Sequence, residues 1–137
     1  MSAVGIKAPL LGKERWFCFN LRAQIAIARK YGSLPKAVAA FNDAFFRGDP
    51  DNSSDGRDLE KTQIVADWCE ALTIGGKSFA RREHGEDSEP VTADDVLDLC
   101  SPHELGDTAA AILAAINAGA ARDVEDPEPE NAQKKTN

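Results

Sequence analysis

The stretch that most constrains the fold is Phe19–Phe46, FNLRAQIAIARKYGSLPKAVAAFNDAFF, which predicts two helices joined by almost no loop. Asn20 can cap the first helix, and Gly32 can end it. Ser33 can cap the second helix, and Pro35 lies in its first turn, where a missing N–H is harmless. The stretch therefore predicts a tight helical hairpin, and it offers no residue suited to catalysis.

Both helices of the hairpin place apolar residues at spacings of three and four, which is typical of an amphipathic helix. The first helix is predicted over residues 20–31 and the second over residues 34–47. Their apolar stripes are Leu21, Ile25 and Ala28 in the first helix and Val38, Phe41 and Phe45 in the second. We expect the hairpin to build much of the core.

The segment before the hairpin, RWFCF at Arg15–Phe19, is short and rich in aromatic residues, as strands often are. A strand with an unpaired edge needs a partner. That partner can come from residues 3–11 or from another copy of the chain. We nevertheless expect residues 1–13 to be loose, because they contain two glycines and a proline.

Further helices are predicted after a polar loop at residues 48–58. The third helix, over residues 58–73, has an apolar stripe, and we expect Gly75 and Gly76 to end it. Its stripe is Val65, Trp68 and Leu72. Residues 76–91 then form a polar connection, which we expect to be the most mobile internal part of the chain.

Capping signals predict the last two helices. Thr92 opens TADDVLDLC, whose first turn carries acids where the helix dipole favours them. In SPHE, Ser101 and Glu104 have the spacing of a capping box, which predicts a helix over residues 102–121. Residues 122–137 have no apolar periodicity and many acids, which is typical of a disordered tail.

The predicted fold is mainly α: a compact bundle of four to five helices with a short N-terminal β element and a disordered acidic C-terminal tail. The chain of 137 residues is long enough for one domain with one modest core. We therefore expect a flexible segment at residues 1–13, a helical domain at residues 14–121 and a tail at residues 122–137.

Charge is distributed unevenly along the chain. The net charge is −7, yet residues 1–40 hold seven Lys and Arg against one acid, so this part carries +6 and the rest −13. Opposite patches can serve different protein partners or self-association, although a merely solvated surface gives the same pattern. The overall acidity argues against duplex nucleic acid as the main ligand, since phosphate binding needs a basic face.

The sequence also argues against a membrane partner and against export. No apolar run approaches the roughly 20 residues that a membrane span needs, and the N-terminus lacks the apolar core of a secretory signal. We therefore expect a cytoplasmic protein whose cysteines are reduced. The scattered positions of Cys18, Cys69 and Cys100 suit buried small hydrophobic residues better than a disulfide framework.

No motif with the spacing of a metal, cofactor or catalytic site stands out, so we expect no cofactor and no enzyme activity. DDVLD at residues 94–98 has carboxylates one turn apart, like a magnesium-diphosphate motif, but acids in a first helical turn are expected for electrostatic reasons alone. TIGGKS at residues 73–78 lacks the upstream glycine of a phosphate loop, since that position is Ala71.

Large aromatic side chains are the best candidates for partner binding. Most should lie in the core, but a small domain cannot hide all of them, and one or two can remain at an interface. Phe46 is the first candidate, because it lies off the stripe of the second helix. The candidates are Trp16, Phe41, Phe45, Phe46 and Trp68.

The order of these elements resembles a known family. An aromatic strand runs into FNLRAQIAIARKYGSLPKAV, and a polar loop, IVADWCEALTIGG, VTADDVLDL and an Ala-rich helix with a charged tail follow. This resembles the tail assembly chaperones of long-tailed bacteriophages (siphoviruses), in the short form encoded ahead of the tape measure gene. The resemblance covers about residues 14–120, and its motifs are apolar patterns. The long 48–58 loop and the charged 76–90 segment depart from the family's pattern.

The resemblance implies a protein that is not an enzyme and acts in virion assembly in the host cytoplasm. Such proteins bind the tape measure protein, keep it soluble, help recruit tail tube subunits and are absent from the finished virion. A longer form, made by a −1 ribosomal frameshift, would contact the tail tube protein. The run Lys134–Lys135–Thr136 is compatible with A-rich slippery codons.

One alternative is a small helical DNA-binding regulator of the helix-turn-helix type. The tight turn of the hairpin suits it, but a recognition helix needs several side chains that can read base edges. Residues 36–46 offer only Lys36 and Asn42 among Ala, Val and Phe. Binding in a gel-shift assay at low salt would separate the two functions.

Overall fold

A computed structural model describes residues 4–45 and 55–125, with side chains for residues 4–45 and 60–119. Within these ranges the fold is mainly helical with a two-stranded sheet, as the sequence predicts. The elements are β1 (Gly5–Leu10), β2 (Lys13–Cys18), α1 (Leu21–Tyr31), α2 (Leu34–Phe45), α3 (Asp55–His84), α4 (Ala93–Leu99), a short 3-10 turn (Pro102–Glu104) and α5 (Leu105–Glu125).

Strands β1 and β2 form an antiparallel hairpin closed by Leu11 and Gly12. Their φ angles are 53° and 83°, and positive φ at both central positions is what a type I′ turn requires. The prediction that residues 1–13 are loose is therefore wrong for residues 5–10. The predicted partner strand from residues 3–11 is confirmed, because cross-strand pairing overrides the local preference of glycine and proline.

The helical hairpin is confirmed together with its capping residues. The side-chain oxygen of Asn20 accepts a hydrogen bond of 3.1 Å from Ala23 N–H at the start of α1. Gly32 ends α1 with a φ of 93°, in the left-handed region. Ser33 Oγ accepts from Lys36 N–H at 3.2 Å at the start of α2. These are local signals, and each acts within a few residues.

The buried face of α1 differs from the predicted stripe. Ala23 and Ile27 are fully buried, whereas Leu21 is 73% exposed and Ile25 is 54% exposed. The helix packs on α2 and α3 through the face that carries Ala23 and Ile27. Leu21 and Ile25 therefore lie on the outer surface.

Helix α3 is the central element, and it is much longer than predicted. It spans Asp55–His84 and packs against both strands and the other four helices. Gly75 and Gly76 do not end it, so that prediction is wrong. Residues 76–84, predicted as part of a polar connection, belong to its last turns.

The two glycines lie where α3 crosses the outer edge of β2. A Cβ on Gly76 would lie 1.8 Å from the carbonyl oxygen of Trp16, and one on Gly75 would lie 2.3 Å from that of Cys18. No Cβ fits at these distances, so glycine permits the close approach of helix and strand. The backbone N–H of Trp16 on the same edge donates to Ser88 Oγ at 2.9 Å.

Residues 85–92 form a connection that is pinned at several points. Val91 is buried, and its N–H donates to Thr73 Oγ1 of α3 at 3.1 Å. Arg15 of β2 donates to Glu89 O at 2.9 Å, and Lys13 pairs with the Glu89 carboxylate at 3.1 Å. The sequence predicts a mobile connection here, whereas the structure ties residues 85–92 to both β2 and α3.

The capping signals of the C-terminal half are also confirmed. Thr92 caps α4 through a capping box with Asp95. Ser101 and Glu104 form a second capping box, which opens the 3-10 turn that leads into α5. The helix continues to Glu125, a few residues past its predicted end. The rest of the predicted tail, like most of the predicted 48–58 loop, lies outside the described residues.

Candidate partner-binding surface

Two of the five aromatic candidates lie inside the core. Trp68 is fully buried and Phe41 is 2% exposed, with their ring centroids 6.0 Å apart. Phe45 is half-buried and packs against Phe41 at 4.9 Å. Phe46 lies outside the described residues, so its predicted exposure stays a prediction. Because Trp68 and Phe41 are buried, they are not accessible to a partner protein. A partner-binding surface must therefore be formed by other residues.

Trp16 is half-buried within a cluster of side chains from β1, α3 and the 85–92 connection. Its ring stacks on His84 at 4.6 Å and meets Phe79 at 5.3 Å. Lys7 Nζ lies 5.5 Å from the ring centroid, and the indole N–H donates to Glu86 Oε1 at 3.0 Å. That hydrogen bond is the main cause that lowers the pKa of Glu86. Trp16 therefore holds the β hairpin to the end of α3.

The largest exposed apolar residues are aliphatic, and sequence reasoning did not propose them as a site. Leu21 and Ile25 lie one turn apart on α1, and we call them the α1 apolar pair. Leu97, 40% exposed, and Leu99, 68% exposed, lie two residues apart on α4 and so point to different sides of that helix. These four exposed aliphatic side chains are candidate contact points for another protein.

A groove lies beside the start of α1, between that helix, α3 and the 85–92 connection. Its lining residues are Arg22, Ile74, Lys77, Ser78, Arg81 and Pro90, and we call it the basic groove. Its volume is about 340 Å³. Three of its six lining residues are cationic and none is acidic. Arg22 directly follows Leu21 in the chain, so the groove and the α1 apolar pair are neighbours.

The cations of the basic groove are largely unpaired. Within the described part of the chain, neither Arg22 nor Lys77 forms an ion pair, and Arg81 meets only the fully exposed Asp87 at 4.0 Å. Lys30 of α1, by contrast, pairs with Asp67 at 3.6 Å and Glu70 at 3.4 Å. The groove is thus a site of positive potential in a chain of net charge −7.

The cysteines behave as small apolar residues. Cys18 and Cys69 are fully buried, as predicted, and Cys100 is half-buried; all three thiols are free. Burial raises the pKa of Cys18 to about 11 and that of Cys69 to about 12. Thiols with such pKa values are protonated near neutral pH and are poor nucleophiles and metal ligands.

No metal site is evident among the residues that the structure describes. No group of three or more His, Cys, Asp or Glu side chains is placed to hold an ion. The three acids of DDVLD are all exposed, and the Asp95 carboxylate takes part in the capping box. GGKS lies inside α3 and cannot form a phosphate loop. None of the described helices is both long enough and apolar enough to cross a membrane.

Comparison with known proteins gives no match: no protein-family model, no curated protein and no solved structure matches this chain.

Proposed function

We propose that this protein is a tail assembly chaperone of a long-tailed bacteriophage, which binds the tape measure protein and keeps it soluble in the host cytoplasm. The proposal combines the family resemblance of the sequence with one structural observation. That observation is the α1 apolar pair, two aliphatic side chains held 73% and 54% exposed on a capped helix.

The surface suits a long helical partner. Leu21 and Ile25, one turn apart, can meet an apolar stripe of another helix, which is how helices dock on grooves and faces. Arg22 and the rest of the basic groove lie beside them and would favour acidic residues flanking that stripe. Since α1 is fixed by its caps and by α3, the surface is preorganised, which lowers the entropic cost of binding.

The test is co-expression with the tape measure protein, which the proposal expects to be a long, coiled-coil-rich protein encoded directly downstream. We expect the chain to raise the soluble fraction of that protein and to co-purify with it. The double variant Leu21→Ser/Ile25→Ser should weaken binding about 10-fold or more, because two aliphatic contacts are lost. Both residues are exposed, so the variant should retain the circular dichroism of the unmodified chain.

The exposed leucines of α4 provide a control. Leu97→Ser/Leu99→Ser replaces two exposed aliphatic side chains by serine on another helix, and we expect it to leave binding unchanged. An equal loss of binding affinity in both double variants would contradict the assignment of the α1 apolar pair as the binding surface. A downstream protein that stays insoluble and does not co-purify with the unmodified chain would contradict the function itself.

The proposed function includes a longer product that reaches the tail tube protein. An extension beyond the acidic segment would carry a second binding module and raise the local concentration of tube subunits near the tape measure protein. Expression of the natural DNA with its downstream region should give a second, longer product with the same N-terminus in mass spectrometry. If only the 137-residue product appears, the frameshift is excluded.

The helix-turn-helix alternative gains no support from the surface of α2. Its exposed positions include Lys36, Asn42 and Asp43, so a cation and an acid share the face that would enter a DNA groove. Ala37, Phe41 and Ala44 are buried against the rest of the domain. A phosphate-facing helix needs a clear excess of positive charge, and α2 does not have one.

A further inference from the structure

The basic groove has a chemically matched segment in its own chain. The groove carries Arg22, Lys77 and Arg81, with no acid among its lining residues. Beyond the end of α5, residues 126–130 read DPEPE, three acids with two prolines and no cation. A segment with three acids in five residues and no cation thus directly follows the described domain.

The position of α5 brings this segment close to the groove. Gly119 lies against Phe19, since a Cβ on Gly119 would be 3.2 Å from the Cβ and carbonyl oxygen of Phe19. Phe19 is three residues before Arg22. From Gly119 to the end of α5 is about 9 Å along the helix, and residues 126–130 can span up to about 17 Å beyond that end. Glu130, at the far end of the segment, can therefore return past the level of Gly119 toward Phe19 and Arg22.

We propose that the acidic segment Asp126–Glu130 of this chain docks in its own basic groove and pairs with Arg22, Lys77 and Arg81. The groove is positive, its three cations have little or no pairing among the described residues, and the segment carries three acids. This inference does not rest on the proposed function, because it involves no partner protein.

Tethering makes such a contact effective even when each pair is weak. A segment joined by a short linker has an effective concentration of order 1 mM at its site, so a contact too weak to form between separate molecules is populated within one chain. Exposed charges interact over roughly 10 Å at 0.1 M salt and much less at 1 M. The docked segment should therefore dissociate from the groove as the salt concentration rises. An acidic partner that binds the groove with higher affinity should displace it.

The test uses the full chain labelled with ¹⁵N and a variant with its tail acids neutralised, Asp126→Asn/Glu128→Gln/Glu130→Gln. At low salt we expect the amide signals of Arg22, Lys77 and Arg81 to shift between the two proteins. Raising NaCl from about 0.05 M to about 0.5 M should move the wild-type signals toward those of the variant. Groove signals that coincide in the two proteins at low salt would overturn the proposal.

Two controls sharpen the result. Asp94→Asn/Asp98→Asn/Asp107→Asn removes the same charge from exposed acids on α4 and α5, and it should leave the groove signals in place. If it shifts them as much as the tail variant does, the effect is one of net charge and the proposal is wrong. Wild-type groove shifts that vanish on about tenfold dilution would place the segment in a neighbouring copy and overturn docking within one chain.

Discussion

Gly32 ends a helix, whereas Gly75 and Gly76 lie in the middle of one. Gly32 has a φ of 93°, and its nearest neighbour for an added Cβ is Lys36 Cδ at 3.9 Å. The pair in α3 has ordinary helical backbone but meets β2 at distances that exclude any Cβ. The same residue type thus relieves backbone strain at one site and permits close packing at the other.

The difference shows that Gly32 is required by its local backbone conformation, whereas Gly75 and Gly76 are required by a distant segment of the chain. The conformation at Gly32 is a property of the helix end, and its backbone N–H donates to Ala28 O at 2.8 Å. The pair in α3 is required by Trp16 and Cys18, whose carbonyl oxygens point from the strand edge toward the helix. Five substitutions of glycine by alanine, one of them a control, test this distinction, from the largest expected effect to the smallest.

Gly76→Ala should have the largest effect, because its Cβ would lie 1.8 Å from a backbone oxygen. We expect the free energy of unfolding to fall by about 3 kcal/mol, despite the better helix propensity of alanine, worth about 1 kcal/mol. Urea unfolding followed by circular dichroism measures the loss. A loss below about 1 kcal/mol would mean that β2 moves aside easily and that the close approach is not required.

Gly75→Ala should cost less, about 2 kcal/mol. One of its close neighbours is the Asn20 Oδ1 atom at 2.5 Å, on a side chain that can rotate, although Cys18 O at 2.3 Å cannot. Asn20 also donates to Gly75 O at 3.1 Å. If the clash with Asn20 contributes, the double variant Asn20→Ala/Gly75→Ala should lose less stability than the two single losses together.

Gly32→Ala should cost about 1 kcal/mol, since only the left-handed conformation disfavours a Cβ there. Gly85→Ala is the matched control, with a φ of 63° and nothing within 4 Å of an added Cβ. We expect similar losses in denaturant unfolding for both. A loss at Gly32 as large as that at Gly76 would show that its role is also tertiary.

Gly106→Ala should have the smallest effect and the opposite sign. Gly106 is exposed near the start of α5, with nothing within 4 Å of an added Cβ. Alanine reduces the freedom of the unfolded chain, so we expect a gain of about 0.5 kcal/mol. A loss of stability in thermal or urea unfolding would contradict the view that packing does not require glycine at position 106.

The candidate surface was less predictable than the helices. Large size and helical spacing correctly mark Phe41 and Trp68 as core residues, but those features cannot show which face of α1 is buried. Leu21 and Ile25 satisfy the periodicity of a core stripe, yet Ala23 and Ile27, which have the same spacing of four, occupy the interface. The basic groove could not be predicted either, because Arg22 and Lys77 are distant in the chain and meet only after folding.

The sequence by itself determined the starts of α1, α2 and α4 and the end of α1, because Asn20, Ser33, Thr92 and Gly32 act on backbone groups within four residues. Only the tertiary structure decided that residues 5–10 are a strand and that α3 continues through its glycine pair. Both outcomes depend on β2, which pairs with β1 on one edge and meets α3 on the other. Contacts between distant segments carry no local signal, so a glycine that looks like a stop becomes the place where a helix and a strand pack closest.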